Sequence, residues 1–172
     1  MKKKEDNRWI AIGIIVIIVL ALIAFATKEK EEVINYEEMT PEEIETIIEN
    51  KAANLEKIEL SEKNENERMQ YYVKKFMMAV EEKRYEDAYE MLYEDFRKTY
   101  FSSIDSFEKH VTEKFPAHAN LKYTNCERSG EIYVLWVTMK DIGAMENTSG
   151  TEMNFVVKEN DLNDFVLSFS VK

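Results

Sequence analysis

The chain has 172 residues, with 23 Lys+Arg against 34 Asp+Glu and a net charge of −11. That length holds one ordinary domain with appendages, and the acidic balance argues against a nucleic-acid surface, which needs a basic footprint. A single Cys excludes a disulfide framework within the chain and any Cys-rich zinc site, and hydrophobic residues at 45% with aromatics at 12% exclude global disorder.

The charge is uneven. Residues 1–27 carry +2, residues 28–68 carry −8 and residues 69–172 carry −5. Residues 1–8 form a basic tail with Lys2, Lys3, Lys4 and Arg8. Residues 9–26 then read WIAIGIIVIIVLALIAFA, eighteen residues with no charge and no Pro. As a helix this run spans about 27 Å at ~1.5 Å per residue, close to the ~30 Å hydrocarbon core of a bilayer. Twelve of the eighteen are Ile, Leu, Val or Phe, and each favours insertion. The expectation is a membrane anchor, with Trp9 at the interface, Ile10 and Ile18 in its apolar body and Phe25 near its far end.

Four basic residues precede the anchor, and two, Lys28 and Lys30, follow it. The N-terminus is therefore expected in the cytoplasm and the rest of the chain outside the plasma membrane. The alternative is a secreted protein released by a signal peptidase after Ala26, because Ala24-Phe25-Ala26 fits a small-x-small cleavage pattern. The apolar run is longer than a usual signal core and no polar stretch separates it from that site, which favours an uncleaved anchor. Cys126 reads as a small buried hydrophobe, with an intermolecular disulfide as the minor reading.

Residues 27–68 read as an acidic spacer and helical stalk. Thr40-Pro41-Glu42-Glu43 is a helix start: Thr40 caps, Pro41 suits the first turn and Glu43 completes a capping box. Ile44, Ile47, Ile48, Leu55 and Ile58 follow at helical spacing, interrupted by Lys51. A short coiled coil between protomers is one reading. Fewer than three clean heptads favour the other, a solvated helix that holds the head off the bilayer.

Residues 69–172 are expected to form the extracytoplasmic head. Met69, Tyr72, Val73, Phe76, Met77 and Val80 lie on one face of a helix. Tyr85, Ala88, Tyr89 and Leu92 form a second, after the polar corner Glu81-Glu82-Lys83-Arg84. Ile104, Phe107, Val111 and Phe115 form a third, which Pro116 stops. The period then becomes two. Strands are expected at Leu121–Cys126, Ile132–Asp141, Thr151–Val157 and Phe165–Val171, with turns at Ser129-Gly130, between Gly143 and Gly150, and over Glu159–Asp164. Short connections make an antiparallel meander. The fold class is α+β: three N-terminal helices on one face of a four-stranded antiparallel sheet, preceded by the transmembrane helix and the acidic stalk.

The second strand is apolar on both faces, and the fourth has a rich and a poor one. Assigning the richer faces to the core leaves Ile132, Val134, Trp136, Val156 and Val166 on the other, beside Thr138, Ser168 and Ser170. A bare sheet face should read polar. A mixed apolar patch around a Trp suits a partner-binding surface, unless the stalk or a loop folds back over it.

The stretch FMMAVEEKRYEDAYEMLYEDFRKTYFSSIDSFEKHVTEKFP resembles the helical half of nuclear-transport-factor-2-like (cystatin-like) domains. The marks are Phe76, the polar corner, Tyr85-Glu86-Asp87-Ala88-Tyr89, and Phe107 in the third helix. The resemblance covers the head only. An anchor followed by such a domain is similar to assembly-factor subunits of conjugative and type IV secretion systems, and to the accessory domain of low-affinity penicillin-binding proteins. No residue motif selects among these. The resemblance also implies that a conical pocket can lie between helices and sheet, as in related isomerases and dehydratases.

Such enzymes need a carboxylate or His base facing a hydrogen-bond donor. The only histidines are His110 and His118, whose spacing of eight across Pro116 matches no metal pattern. Tyr72, Tyr85, Tyr89 and Tyr133 are expected as core residues with hydroxyls at the rim, or as the lining of a pocket. Asn147-Thr148-Ser149 is a sequon, a motif met often by chance. No catalytic residue, cofactor or metal is expected. The expected function is a membrane-anchored scaffold that binds other envelope proteins or itself, with a small-ligand sensor as the alternative.

Overall fold

The computed structural model describes residues 40–143 and 148–171. The anchor segment with Trp9, Ile10, Ile18 and Phe25, the first part of the stalk, and Asn147 of the sequon lie outside the described residues. The chain divides into two compact units, residues 1–46 and 47–172. The fold is that of the second unit; of the first, Thr40–Thr46 are described, and they open a helix.

That helix, α1, runs Pro41–Glu62. Its start is the expected reciprocal cap. The Glu43 N–H donates to Thr40 Oγ1 at 3.3 Å, and the Thr40 N–H donates to the Glu43 carboxylate at 2.7 Å. Of its 22 residues only Leu60 is buried. The next helix, α2, runs Glu65–Glu81 and starts four residues before Met69, because Asn64 caps it. The Glu67 N–H donates to Asn64 Oδ1, and the Asn64 N–H donates back to the Glu67 carboxylate, both at 3.0 Å.

Three short helices follow: α3 Tyr85–Glu90, α4 Glu94–Tyr100 and α5 Ile104–Lys114. The polar corner between α2 and α3 turns through Lys83, which adopts a left-handed φ of 60°. Helix α5 is capped reciprocally by Ser103 and Ser106 at 3.2 Å, and its chain leaves the helix at Phe115, before Pro116. Helix α4 is an addition to the expected set. It buries no residue, and its seven residues hold too few apolar side chains to set a period.

Strands β1 Ala119–Ser129, β2 Ile132–Asp141, β3 Thr151–Asp161 and β4 Asp164–Phe169 form one sheet in the order β1-β2-β3-β4, every pair antiparallel. Two-residue connections join β1 to β2 and β3 to β4. Gly130, at φ 64°, serves the first, and Asn163, at φ 66°, serves the second. Strands β1 and β3 are longer than their apolar cores suggest, because their ends are polar residues that pair through the backbone. Both carry a bulge, at Tyr123/Asn125 and at Glu159/Asp161.

The helices cover one sheet face. Tyr133, Leu135, Val137 and Met139 of β2 point into that layer with Met153, Phe155 and Val157 of β3 and Phe165, Leu167 and Phe169 of β4. From the helices come Tyr72, Val73, Phe76, Met77, Ala88, Phe107 and Val111. Phe76 is fully buried, and its ring centroid lies 5.8–6.4 Å from those of Phe107, Phe115, Phe155 and Phe169. Offset and edge contacts at such spacing add to the burial of the rings. The segment after α3 pairs with the β4 edge at Leu167. The Leu167 N–H donates to the Met91 carbonyl at 2.9 Å, and the Tyr93 N–H donates to the Leu167 carbonyl at 2.8 Å.

Removing the Phe76 ring would leave a cavity between two layers that cannot easily collapse. Phe76→Ala should cost about 3–5 kcal/mol, a large part of a typical ~5–15 kcal/mol. Urea unfolding of residues 40–172 measures it, and a loss below about half a kcal/mol would mean that the ring is not the centre of this core.

Candidate functional site

The open face of the sheet follows from the strand register. Along β2, Ile132, Val134 and Trp136 alternate with the buried set and point away from the helices. Val134 stands opposite Val156 on β3, and Trp136 stands between Asn125 on β1 and Asn154 on β3. Lys158 lies between Ile132 and Val166 in the next row and pairs with the Glu131 carboxylate at 3.2 Å. The structure thus brings Val134, Trp136 and Val156 together and separates Val166 from them by Lys158 and Ser168. None of the five is buried: Ile132 is 38% exposed and the others are half-buried. The apolar strip is narrow, and amides, hydroxyls and single charges border it.

A second cluster is polar and joins three elements. The Arg68 guanidinium of α2 donates to both oxygens of the Glu159 carboxylate at 2.8 Å. Tyr72 donates its hydroxyl to the same carboxylate and accepts the Asn163 N–H at 3.0 Å. Beside it, Glu56 of α1 accepts from Lys75 at 2.8 Å, from the Asn163 amide at 2.6 Å and from the Tyr71 hydroxyl. Lys75 also reaches Asn163 Oδ1 at 3.0 Å. Burial alone would raise both carboxyl pKa values, but the donors around them outweigh it. Lys75, Tyr71 and Asn163 hold Glu56 below the ordinary range, and Arg68 and Tyr72 do so for Glu159. Burial and the same carboxylates push the two tyrosines up. With Leu60, this cluster holds the second half of α1 to the rest of its unit.

The third feature is a groove of about 470 Å³ where α2 overhangs β1. Met77, Met78, Leu121 and Tyr123 form its apolar wall, Ile142 stands at its rim, and Lys74 and Glu81 border it. Ile142 is 70% exposed. The four tyrosines expected at a pocket do not line this groove. Tyr72 is fully buried and stacks on Phe165 at 4.3 Å, Tyr133 is buried beneath Arg128, Tyr89 bonds the Phe101 carbonyl at 3.3 Å, and Tyr85 is half-buried on the core.

The two histidines lie in different settings. His118 Nδ1 is 2.7 Å from the Glu81 carboxylate, which raises the imidazole pKa. His110 packs on Phe101 and Phe169, and burial lowers its pKa. Among the described residues no group of three His, Cys, Asp or Glu is placed to hold a metal ion, and no helix is long and apolar enough to cross a membrane.

Sequence reasoning missed the polar cluster and the groove. Glu56, Lys75, Glu159 and Asn163 look like ordinary surface residues along the chain, and only the fold brings them together. The groove had one readable signal, the apolar period of Leu121 and Tyr123 along β1. Comparison of the chain with family models, curated proteins and solved structures finds no match.

A carboxylate whose pKa is lower in the folded state stabilises above its unfolded value, ~4.3 for Glu, and that stability is lost as pH falls through the folded pKa. Residues 40–172 should therefore lose stability as pH drops from 6 to 3. Glu159→Gln should be less stable at pH 6 and should lose less over the same interval. Urea midpoints at the two pH values test this, and an unchanged pH slope would remove Glu159 from that role.

Proposed function

We propose that this chain is a single-pass membrane protein whose domain outside the membrane binds other proteins and catalyses nothing. The observation that carries the reading is the half-buried strip of Val134, Trp136 and Val156 on the sheet face opposite the described helices. A Trp on an open sheet face, ringed by polar groups, has the make-up of an interface centre. The apolar run at residues 9–26 supplies the anchor, and the four basic residues before it keep the N-terminus inside. The resemblance of the helical half to nuclear-transport-factor-2-like domains supports a scaffold role, as in a conjugation or secretion-type envelope assembly, with another envelope protein or a second copy as the partner. No nucleic acid is involved.

The groove between α2 and β1 favours a second reading, the binding of a small apolar ligand. Its methionines adapt to varied shapes, and its volume suits a molecule of modest size.

Two measurements test the main reading. Protease added to intact cells or spheroplasts should digest the head and spare the short N-terminus; full protection of the head would reverse the topology, and a soluble head beginning at Thr27 would favour cleavage. A photo-crosslinking residue at position 136 of the full chain, in membranes, should give an adduct of discrete mass. Trp136→Glu should leave the melting temperature within a few degrees of the parent. A collapse in melting temperature would place Trp136 in the core, and a crosslinker that reacts only with water would remove the surface.

A further inference from the structure

The two edges of the sheet differ. At β4 the outward backbone groups of Leu167 are taken by Met91 and Tyr93. At β1 no backbone group from Asn120 to Ser129 bonds to any backbone beyond β2 among the described residues. Antiparallel pairing alternates residues that bond their neighbour with residues that turn their N–H and C=O away. The bond from the Ile142 N–H to the His118 carbonyl at 2.9 Å sets the phase. Ala119, Leu121 and Tyr123 therefore turn outward. Two residues at the bulge, Thr124 and Asn125, then face the single Trp136, which shifts the phase, so that Cys126 and Arg128 turn outward in the second half. The Cys126 N–H is meanwhile held by Asn125 Oδ1 at 2.9 Å.

We propose that this edge pairs with the same edge of a second copy, antiparallel and two-fold symmetric about the bulge. A bulge in an edge strand usually puts a partner strand out of step. Here the self-pairing register opposes bulge to bulge, so the ladder stays in step on both sides. Tyr123 meets Cys126 of the second copy, whose N–H would exchange Asn125 Oδ1 for the Tyr123 carbonyl, and Leu121 meets its Arg128, so outward backbone groups meet outward backbone groups. Face matches face as well. On the open face Lys122 meets Glu127 of the second copy, and by symmetry Glu127 meets its Lys122, two opposite-charge pairs in one short interface. The first half of β1 thus carries the cation and the second half the anion that the dyad requires. The result is one eight-stranded sheet with both helical layers on the same side. The proposal does not rest on the Trp136 strip, which stays free in this arrangement.

The test uses the full chain, purified in mild detergent and in native membranes. Light scattering should give a dimer. Lys122→Glu or Glu127→Lys alone should weaken it about tenfold, since each sets two like-charge pairs face to face, and the double variant should restore it. In a Cys126→Ser background, Lys122→Cys with Glu127→Cys should form an interchain disulfide on mild oxidation, because directly opposed residues of a non-bonded pair lie within disulfide reach. Either cysteine alone should not, since its own copy lies about five residues away along the strand. Trp136→Glu should keep the dimer. A monomeric parent at about fifty micromolar would overturn the proposal, as would a dimer indifferent to both charge reversals or single cysteines that crosslink as well as the pair.

Discussion

Strand β2 has an apolar residue at nearly every position from Ile132 to Val137, yet among the described residues the helices cover only one of its faces. That mismatch is the constraint on which the rest of the structure turns. Period-two geometry sends Tyr133, Leu135, Val137 and Met139 to one side and cannot send the remainder anywhere but the other. The covered side is filled by rings, with Phe76, Phe155 and Phe169 in mutual contact. The opposite side keeps an apolar strip that the described residues leave half-buried. The core is thus satisfied on one face and leaves apolar residues on the other.

Most of the architecture was legible along the chain because each signal was local. Thr40-Pro41-Glu42-Glu43 reads as a helix start without any tertiary context, and the cap forms as written. The face of α2 and the two faces of β2 follow from spacing alone. Helix α4 was illegible because its seven residues set no period and only Phe96 packs on the core. The start of α2 at Glu65 was hidden in SEKNENER, where Asn64 and Glu67 form a cap that composition disguises as a solvated run. The polar cluster was illegible for a different reason. Glu56 and Asn163 stand 107 positions apart, and no period links them.

That cluster also changes how the second half of α1 should be pictured. Its sequence suggests an acidic helix that touches nothing. Instead Leu60 is buried and Glu56 accepts from three donors on α2 and the β3–β4 turn. Apolar burial along α1 is slight, so charge and hydrogen bonding set its seat. A seat of that kind has a defined geometry and a strong dependence on the ionisation of its carboxylates. It suits an element that must hold one orientation more than it suits one that merely fills space.

The unequal edges of the sheet carry a last consequence, for how far assembly can go. Met91 and Tyr93 occupy the groups that Leu167 would offer a newcomer, so among the described residues β1 is the more open edge for strand addition. A unit with two open edges can polymerise without limit, and that is the route to fibres. A unit with one open edge has a valence of one. A second copy joined at β1, as proposed, would therefore end the sheet as it joins it, giving a closed pair and no filament.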